Sequence, residues 1–353
     1  MNTDLLKNIR RVVPYAAGER PDVPGIIKLN TNENPYPPSP GVIEAQMRLD
    51  PGTFRLYPDP ESKALKEAAA KFYGLEALQV FPANGSDDAL ALIFMTYFNS
   101  GKPVLFPDVT YSFYPVWCDL YKISYETVPL NEEYAIEPDG YSRENGGIIL
   151  ANPNAPTGVA FGRKETRQIL EANPGVIVVI DEAYVDFGAE SAVPLIGEYD
   201  NLIVVHTFSK YRALAGARIA LAFGNAELIA FLTSVKNSYN SYPLDFTAQV
   251  LAVAALEDDA YYRAAASRIA QTRERFVRGL DNLGFETLPS QANYVLTKHG
   301  KADAKSLFDY LREHKIYVRY FEKPRLSDFL RITIGTNEQM DAVLERIKKF
   351  LCG

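Results

Sequence analysis

Apolar residues gather in short runs through the first two thirds of the chain. The runs are Pro103–Pro107, Ile123–Val128, Gly147–Ala151, Val176–Asp181, Leu202–Phe208 and Arg218–Gly224. Several are continuous and β-branched rather than alternating, which predicts strands covered on both faces, in a mostly parallel sheet between helices. Helical patterns lie between them. "SKALKEAAAKFYG" is predicted to start at Ser62 as its cap and to end at Gly74, and Arg163–Ala172 supplies a βαβ rhythm. An Ala-rich stretch over 246–283 predicts one long helix leading to a second, smaller unit. That unit reads strand, helix, strand, strand, helix from "QANYVLT", "ADAKSLFDYLREH", "IYVRYF", "LRITIG" and Glu338–Phe350. The expected architecture is α/β, divided into an N-terminal arm with part of the small domain (1–60), a large domain (61–245), a connecting helix (246–283) and a small C-terminal α+β domain (284–353). Within the arm, "KLNTNENPYPPSP" (Lys28 to Pro40) is too rich in proline for a helix and is expected to lie on another surface, its own core or a second subunit.

Composition narrows the function. With 353 residues, 47% of them hydrophobic, the chain can bury a large core. A net charge of −7 argues against nucleic acid as the main partner, because a phosphate backbone calls for a basic face. Two cysteines, Cys118 and Cys352, form neither a disulfide framework nor a metal-ligand spacing, and a reducing compartment is expected. Three scattered histidines, His206, His299 and His314, give no metal pairing, and no G-x-S-x-G elbow is present. The N terminus lacks the apolar run of a signal peptide, and no segment is long enough to span a bilayer, so the expected location is the cytoplasm.

Four clusters follow predicted strands, where ligands of open α/β sheets bind. "PANGSDDAL" follows Gln79–Phe81, "NPNAPTG" follows Gly147–Ala151, "DEAY" closes Val176–Asp181 and "TFSK" closes Leu202–Phe208. Lys210, just past a buried strand, can be desolvated into a nucleophilic amine; a surface lysine is the plainer alternative. Asp181, ending an apolar run, needs a cation, a cap or a salt bridge, and a protonated pyridine nitrogen is one such cation. Gly85, Ser86 and Asp87 open a helix whose amides suit a phosphate, or simply form a capped helix start. Arg218 follows a small-residue turn and can reach the same place. Tyr111 and Tyr184 offer flat rings and hydroxyls. Arg319 and Arg331 suit a carboxylate or phosphate, or surface ion pairs.

Taken in order, "LNTNENPYPPSP", "YPDP", "GSDD", "NPNAPTG", "DEAY", "TFSK…AGAR" and "LRITIG" resemble the fold type I aminotransferases, and within them the histidinol-phosphate branch, over nearly the whole chain. The resemblance implies pyridoxal 5'-phosphate attached to Lys210, which would also move the proton in catalysis. It implies Asp181 on the pyridinium nitrogen and Tyr184 on the phenolic oxygen. Gly85, Ser86, Asp87, Thr207, Ser209 and Arg218 would surround the phosphate, and Tyr111 would stack on the ring. Arg319 and Arg331 would hold the substrate's anionic end, with Tyr15 and Asn34 lining its pocket. Tyr57 would serve the other subunit of a homodimer. The implied reaction transfers the amino group of L-histidinol phosphate, a phosphorylated amino alcohol, to 2-oxoglutarate, giving imidazole-acetol phosphate and glutamate; aromatic transamination and threonine-phosphate decarboxylation are the alternatives on the same fold, and a silent cofactor-binding protein is a third. One departure stands out. The family carries asparagine immediately before "PTG", where this chain has Ala155, so Asn154 is the remaining candidate beside Tyr184 for the phenolic oxygen.

Overall fold

The computed structural model describes residues 6–16 and 18–353; the first residues of the N-terminal reading lie outside them. The strands are β1 (Ile27–Lys28), β2 (Val80–Ala83), β3 (Val104–Pro107), β4 (Tyr125–Val128), β5 (Gly147–Ala151), β6 (Val178–Asp181), β7 (Leu202–Thr207), β8 (Ala220–Gly224), β9 (Phe285–Thr287), β10 (Tyr294–His299), β11 (Ile316–Tyr317), β12 (Arg319–Tyr320) and β13 (Phe329–Thr333). A seven-stranded sheet runs β2-β8-β7-β6-β5-β3-β4. Strands β4, β3, β5, β6 and β7 pair in parallel, whereas β8 is antiparallel to both neighbours. Strands β2, β3, β5, β6, β7 and β8 are buried at every position, as unbroken apolar runs require when helices cover both faces. The run Ile123–Val128 departs from that expectation: β4 is an edge strand with only Val128 buried.

The reversal of β8 has a consequence for the site. Because Ala220 pairs with Thr207 on one side and with Ala83 on the other, the start of β8 lies beside the ends of β7 and β2. Arg218, two residues before β8, is thereby delivered to the same sheet edge as the segments after β2, β5, β6 and β7.

Helix Arg163–Ala172 lies where its periodicity places it. Helix Lys63–Tyr73 ends at Gly74 in the left-handed conformation, as expected, but Ser62 makes no capping bond. The Asp59 carboxylate takes that role, accepting from the amides of Lys63 at 2.8 Å and Glu61 at 3.0 Å. The stretch 246–283 is two helices, Phe246–Glu257 and Asp259–Asp281, broken at Asp258. The break has a polar cause. The Asp258 carboxylate accepts from the Gly41 amide at 3.1 Å, and Asp259 pairs with Arg212 and Arg263.

A four-stranded sheet, β12-β13-β10-β9, forms the C-terminal unit. The segment "IYVRYF" divides between two sheets, since β11 pairs in parallel with β1 of the arm while β12 pairs with β13. The arm is therefore stitched to the C-terminal unit. Its proline-rich segment stays non-helical until Pro40, which takes the first turn of a helix, Pro40–Met47, capped by Ser39.

Candidate active site

One cavity opens where these elements meet. Twelve of the residues singled out from sequence line it: Tyr15, Ser86, Asp87, Tyr111, Asp181, Tyr184, Thr207, Ser209, Lys210, Arg218, Arg319 and Arg331. They come from segments spread over three hundred residues and converge because the strand ends do.

Lys210 follows β7 and is half-buried. Its Nζ donates to the Thr31 carbonyl at 3.0 Å, and burial, helped by the nearby Arg331 charge, brings its pKa from 10.5 down to about 8. A fraction of the amine is then neutral, and so nucleophilic, near neutral pH. Asp181 ends β6 and is 5% exposed. Its Oδ2 accepts from the Tyr114 hydroxyl at 2.9 Å, while its Oδ1 is buried without a partner. Burial lifts its pKa to about 6 against the bond from Tyr114 that holds it down. A buried carboxylate with an open oxygen is a docking point for a cationic N–H.

Across the cavity, Gly85 caps helix Ser86–Tyr97 with φ of 86°. A Cβ there would sit 2.6 Å from Nη2 of Arg218, so the close approach of that guanidinium requires glycine. Arg218 pairs with Asp87 at 3.2 Å, and Asp87 also accepts from the Tyr111 hydroxyl at 2.9 Å. With Ser86, Thr207 and Ser209 on the same wall, the helix start, a guanidinium and three hydroxyls face one point, which is the chemistry of a phosphate cradle.

Arg319 and Arg331 are register partners on β12 and β13, and both face the cavity. Arg331 is steadied by the Asn30 carbonyl at 2.8 Å, and its Nε is buried without a partner. The adjacent arginines give the cavity a cationic end suited to a carboxylate or phosphate.

Four singled-out residues are placed elsewhere. Gly85 stands behind Arg218 rather than on the cavity surface. Asn34 does not line the cavity, because its amide donates to the carbonyls of Lys210 and Tyr211, each at 3.1 Å, holding the lysine loop from behind. Asn154 is likewise turned away. Its Nδ2 donates to the Val109 carbonyl and to Thr157, and its Oδ1 accepts from Thr110. Ala155, not Asn154, reaches the cavity wall. Tyr57 is 82% exposed and stacks on Tyr242 with ring centroids 4.8 Å apart, outside this chain's cavity. The site also contains residues not singled out, chiefly Asn30, Thr31, Asn32 and Glu33. The signal was available in the density of polar residues in "LNTNEN".

Among the described residues no cluster of His, Cys, Asp and Glu could hold a metal ion, and no helix is long and apolar enough to cross a membrane.

A lysine, an open buried carboxylate and an anion cradle at the ends of a mostly parallel sheet define the class. The family model described as "Aminotransferase class I and II" matches residues 24–347, and the chain belongs to that family. Within it, the chain is 49% identical over 344 residues to histidinol-phosphate aminotransferase of Lactococcus lactis subsp. cremoris strain MG1363, covering 98% of this chain and 97% of that one. It is also 49% identical to the enzyme of that name from Acinetobacter baumannii strain SDF, covering 97% and 95%. A solved histidinol-phosphate aminotransferase from Sinorhizobium meliloti, in complex with pyridoxal-5'-phosphate, superposes with a TM-score of 0.85 at 26% identity, covering 92% of this chain and 91% of that one. The chain is a member of the histidinol-phosphate aminotransferase family.

Proposed function

We propose that this chain transfers the amino group of L-histidinol phosphate to 2-oxoglutarate, giving imidazole-acetol phosphate and glutamate in histidine biosynthesis. The cofactor is pyridoxal 5'-phosphate, and the site's own chemistry fits it. The observation that carries the reading is the pairing of two groups in one cavity: a lysine amine brought down to about 8, and Asp181 with a buried oxygen that has no partner.

Each residue then has a task set by its position. Lys210 would hold the cofactor through its Nζ, and the same amine is the group placed to hold or move a proton at the reacting carbon. Asp181 would hold the ring nitrogen protonated through Oδ1, while Tyr114 keeps its other oxygen in place. When bound, the cofactor would supply an electron sink. Ser86, Asp87, Thr207, Ser209 and Arg218 would surround its phosphate, and Tyr111 would lie against the ring. Tyr184 would offer its hydroxyl to the phenolic oxygen, where the Ala155 side chain has no donor to add. Arg319 and Arg331 take the phosphate of the first substrate and a carboxylate of the second, which a pair of guanidiniums can do in one place. Tyr15, stacked on Phe113 at 4.5 Å, closes the substrate side.

The working unit is a homodimer in the cytoplasm. Support for the dimer comes from an exposed apolar strip, Ile43, Met47, Phe54, Leu56 and Tyr57, on the arm. Such a strip needs a cover, and Tyr57 would approach the partner's cavity from it.

Steady-state assays with 2-oxoglutarate as acceptor test the reading. L-histidinol phosphate is expected to give glutamate with a kcat/KM at least tenfold above L-phenylalanine, and O-phosphothreonine is expected to release no carbon dioxide. Preference for phenylalanine, or decarboxylation, would overturn the substrate assignment.

A further inference from the structure

Asn32 is a buried polar residue with a left-handed backbone, φ 57°. Asparagine tolerates that conformation better than most residues, yet it is still costly, and such strain persists only where the surroundings fix it. Here they do. The Asn32 amide N–H donates to Oγ1 of Thr333 at 3.1 Å, and the Asn32 carbonyl accepts from Nδ2 of Asn293 at 3.0 Å. Because the Thr333 oxygen already accepts that N–H, its own proton goes to Oδ1 of Asn32, at 2.9 Å. The side-chain amide is thereby oriented, with Nδ2 facing the Tyr184 hydroxyl and donating to it at 2.9 Å.

That single bond decides where the Tyr184 proton points. A phenol has one proton to give. With the Asn32 amide donating to its oxygen, the hydroxyl cannot also donate back along that direction, and its proton turns toward the cavity that the ring lines. Two other tyrosines of the site have their protons committed, Tyr111 to Asp87 and Tyr114 to Asp181. The Asn154 side-chain amide is committed to the Val109 carbonyl and Thr157, and the Ala155 side chain has no proton to give.

We propose that Asn32 is a positioning residue that fixes the Tyr184 hydroxyl as a donor to the cofactor's phenolic oxygen. Resting on the cofactor assignment above, this adds a residue of the N-terminal arm, held by β13 and by Asn293, to the control of the cofactor's charge. A donor on that oxygen stabilises the anion and so lowers the pH at which the cofactor–lysine linkage loses its proton. Removing the donor's support raises that pH.

The experiment is a pH titration of the visible absorbance band of the holoenzyme. Asn32→Gly removes the amide without adding charge and keeps the left-handed backbone accessible. It is expected to raise the titration midpoint by roughly half to one pH unit, the scale of weakening one hydrogen bond to a charged group. Tyr184→Phe is expected to raise it further. Asn32→Gly added to Tyr184→Phe is then expected to give no additional rise, because Asn32 acts only through the hydroxyl. An unchanged midpoint in Asn32→Gly, or an equal rise in the Tyr184→Phe background, would overturn the proposal. If Asn32→Gly does not fold, Thr333→Val, which frees the amide to rotate, is judged by the same two criteria. A wild-type protein with no titrating band would instead defeat the cofactor assignment, so the two failures are distinguishable.

Discussion

Replacing Asp181 by asparagine is expected to stabilise the polypeptide and weaken its hold on the cofactor. In the polypeptide alone, burial raises the Asp181 pKa from 3.8 to about 6. At 1.36 kcal/mol for each pH unit, charging this carboxyl at neutral pH costs roughly 3 kcal/mol relative to an aspartate in water. The sign follows from linkage. A carboxyl whose folded pKa lies above its unfolded value supports folding below about pH 4 and loses that contribution as pH rises through about 6. Asp181→Asn removes the cost while keeping an oxygen for Tyr114. Prepared without cofactor, the variant should therefore melt several degrees above wild type at pH 7.5, with the gap closing near pH 4. Cofactor binding should move the other way. The open oxygen would face a protonated ring nitrogen, and losing a hydrogen bond between charged partners costs roughly 1.5–3 kcal/mol, about 10- to 100-fold in Kd. Thermal melts across pH on cofactor-free protein, with equilibrium dialysis against pyridoxal phosphate, check both halves. A variant that melts below wild type at pH 7.5, or binds cofactor equally well, would refute the reasoning.

The rate at which cofactor-free protein captures pyridoxal phosphate should follow the neutral fraction of Lys210, rising to a plateau above about pH 8; a midpoint near 10.5, measured by stopped-flow absorbance, would place the lysine in water. Lys210→Ala should lose at least about 10³-fold in turnover, near the upper range for general acid–base catalysis, and should not be trapped covalently by borohydride. Arg331→Ala should raise KM for both anionic substrates by roughly 10- to 100-fold, with Arg319→Ala raising it less, because Arg331 is fixed by the Asn30 carbonyl at 2.8 Å while the bond from Arg319 to the Ala16 carbonyl is longer, at 3.3 Å. Glu182→Gln, behind the site, should lower stability by about 1–3 kcal/mol in chemical denaturation, since buried Glu182 meets Nε2 of His206 at 2.7 Å and also accepts from Ser191 and Ala192.

Much of this was legible in the chain. Apolar runs located six strands to within two residues; five of them are buried at every position, as a strand covered on both faces must be, and only the edge strand β4 departs from that reason. Periodicity does not encode direction, so the antiparallel course of β8, which brings Arg218 to the site, was not readable. The division of 246–283 at Asp258 was hidden for a related reason. Alanine favours a helix throughout, and the break is set by a tertiary bond to Gly41. At the site, residue types named the chemistry but not which way each side chain turns. Asn154 and Asn34 have the right composition and position, yet their amides are engaged by neighbouring backbone. The segment Asn30–Glu33 was the reverse case. Its role lies partly in carbonyls, Asn30 to Arg331 and Thr31 to Lys210, which no residue type reveals.

The central claim is tested most directly by one half-reaction. The purified holoenzyme is mixed with L-histidinol phosphate in the absence of any keto acid, and its visible absorbance band is followed. Loss of the band in a single turnover, restored by 2-oxoglutarate with release of glutamate, is the predicted result. A band that L-histidinol phosphate leaves unchanged, while L-phenylalanine or O-phosphothreonine bleaches it, would contradict the assigned substrate.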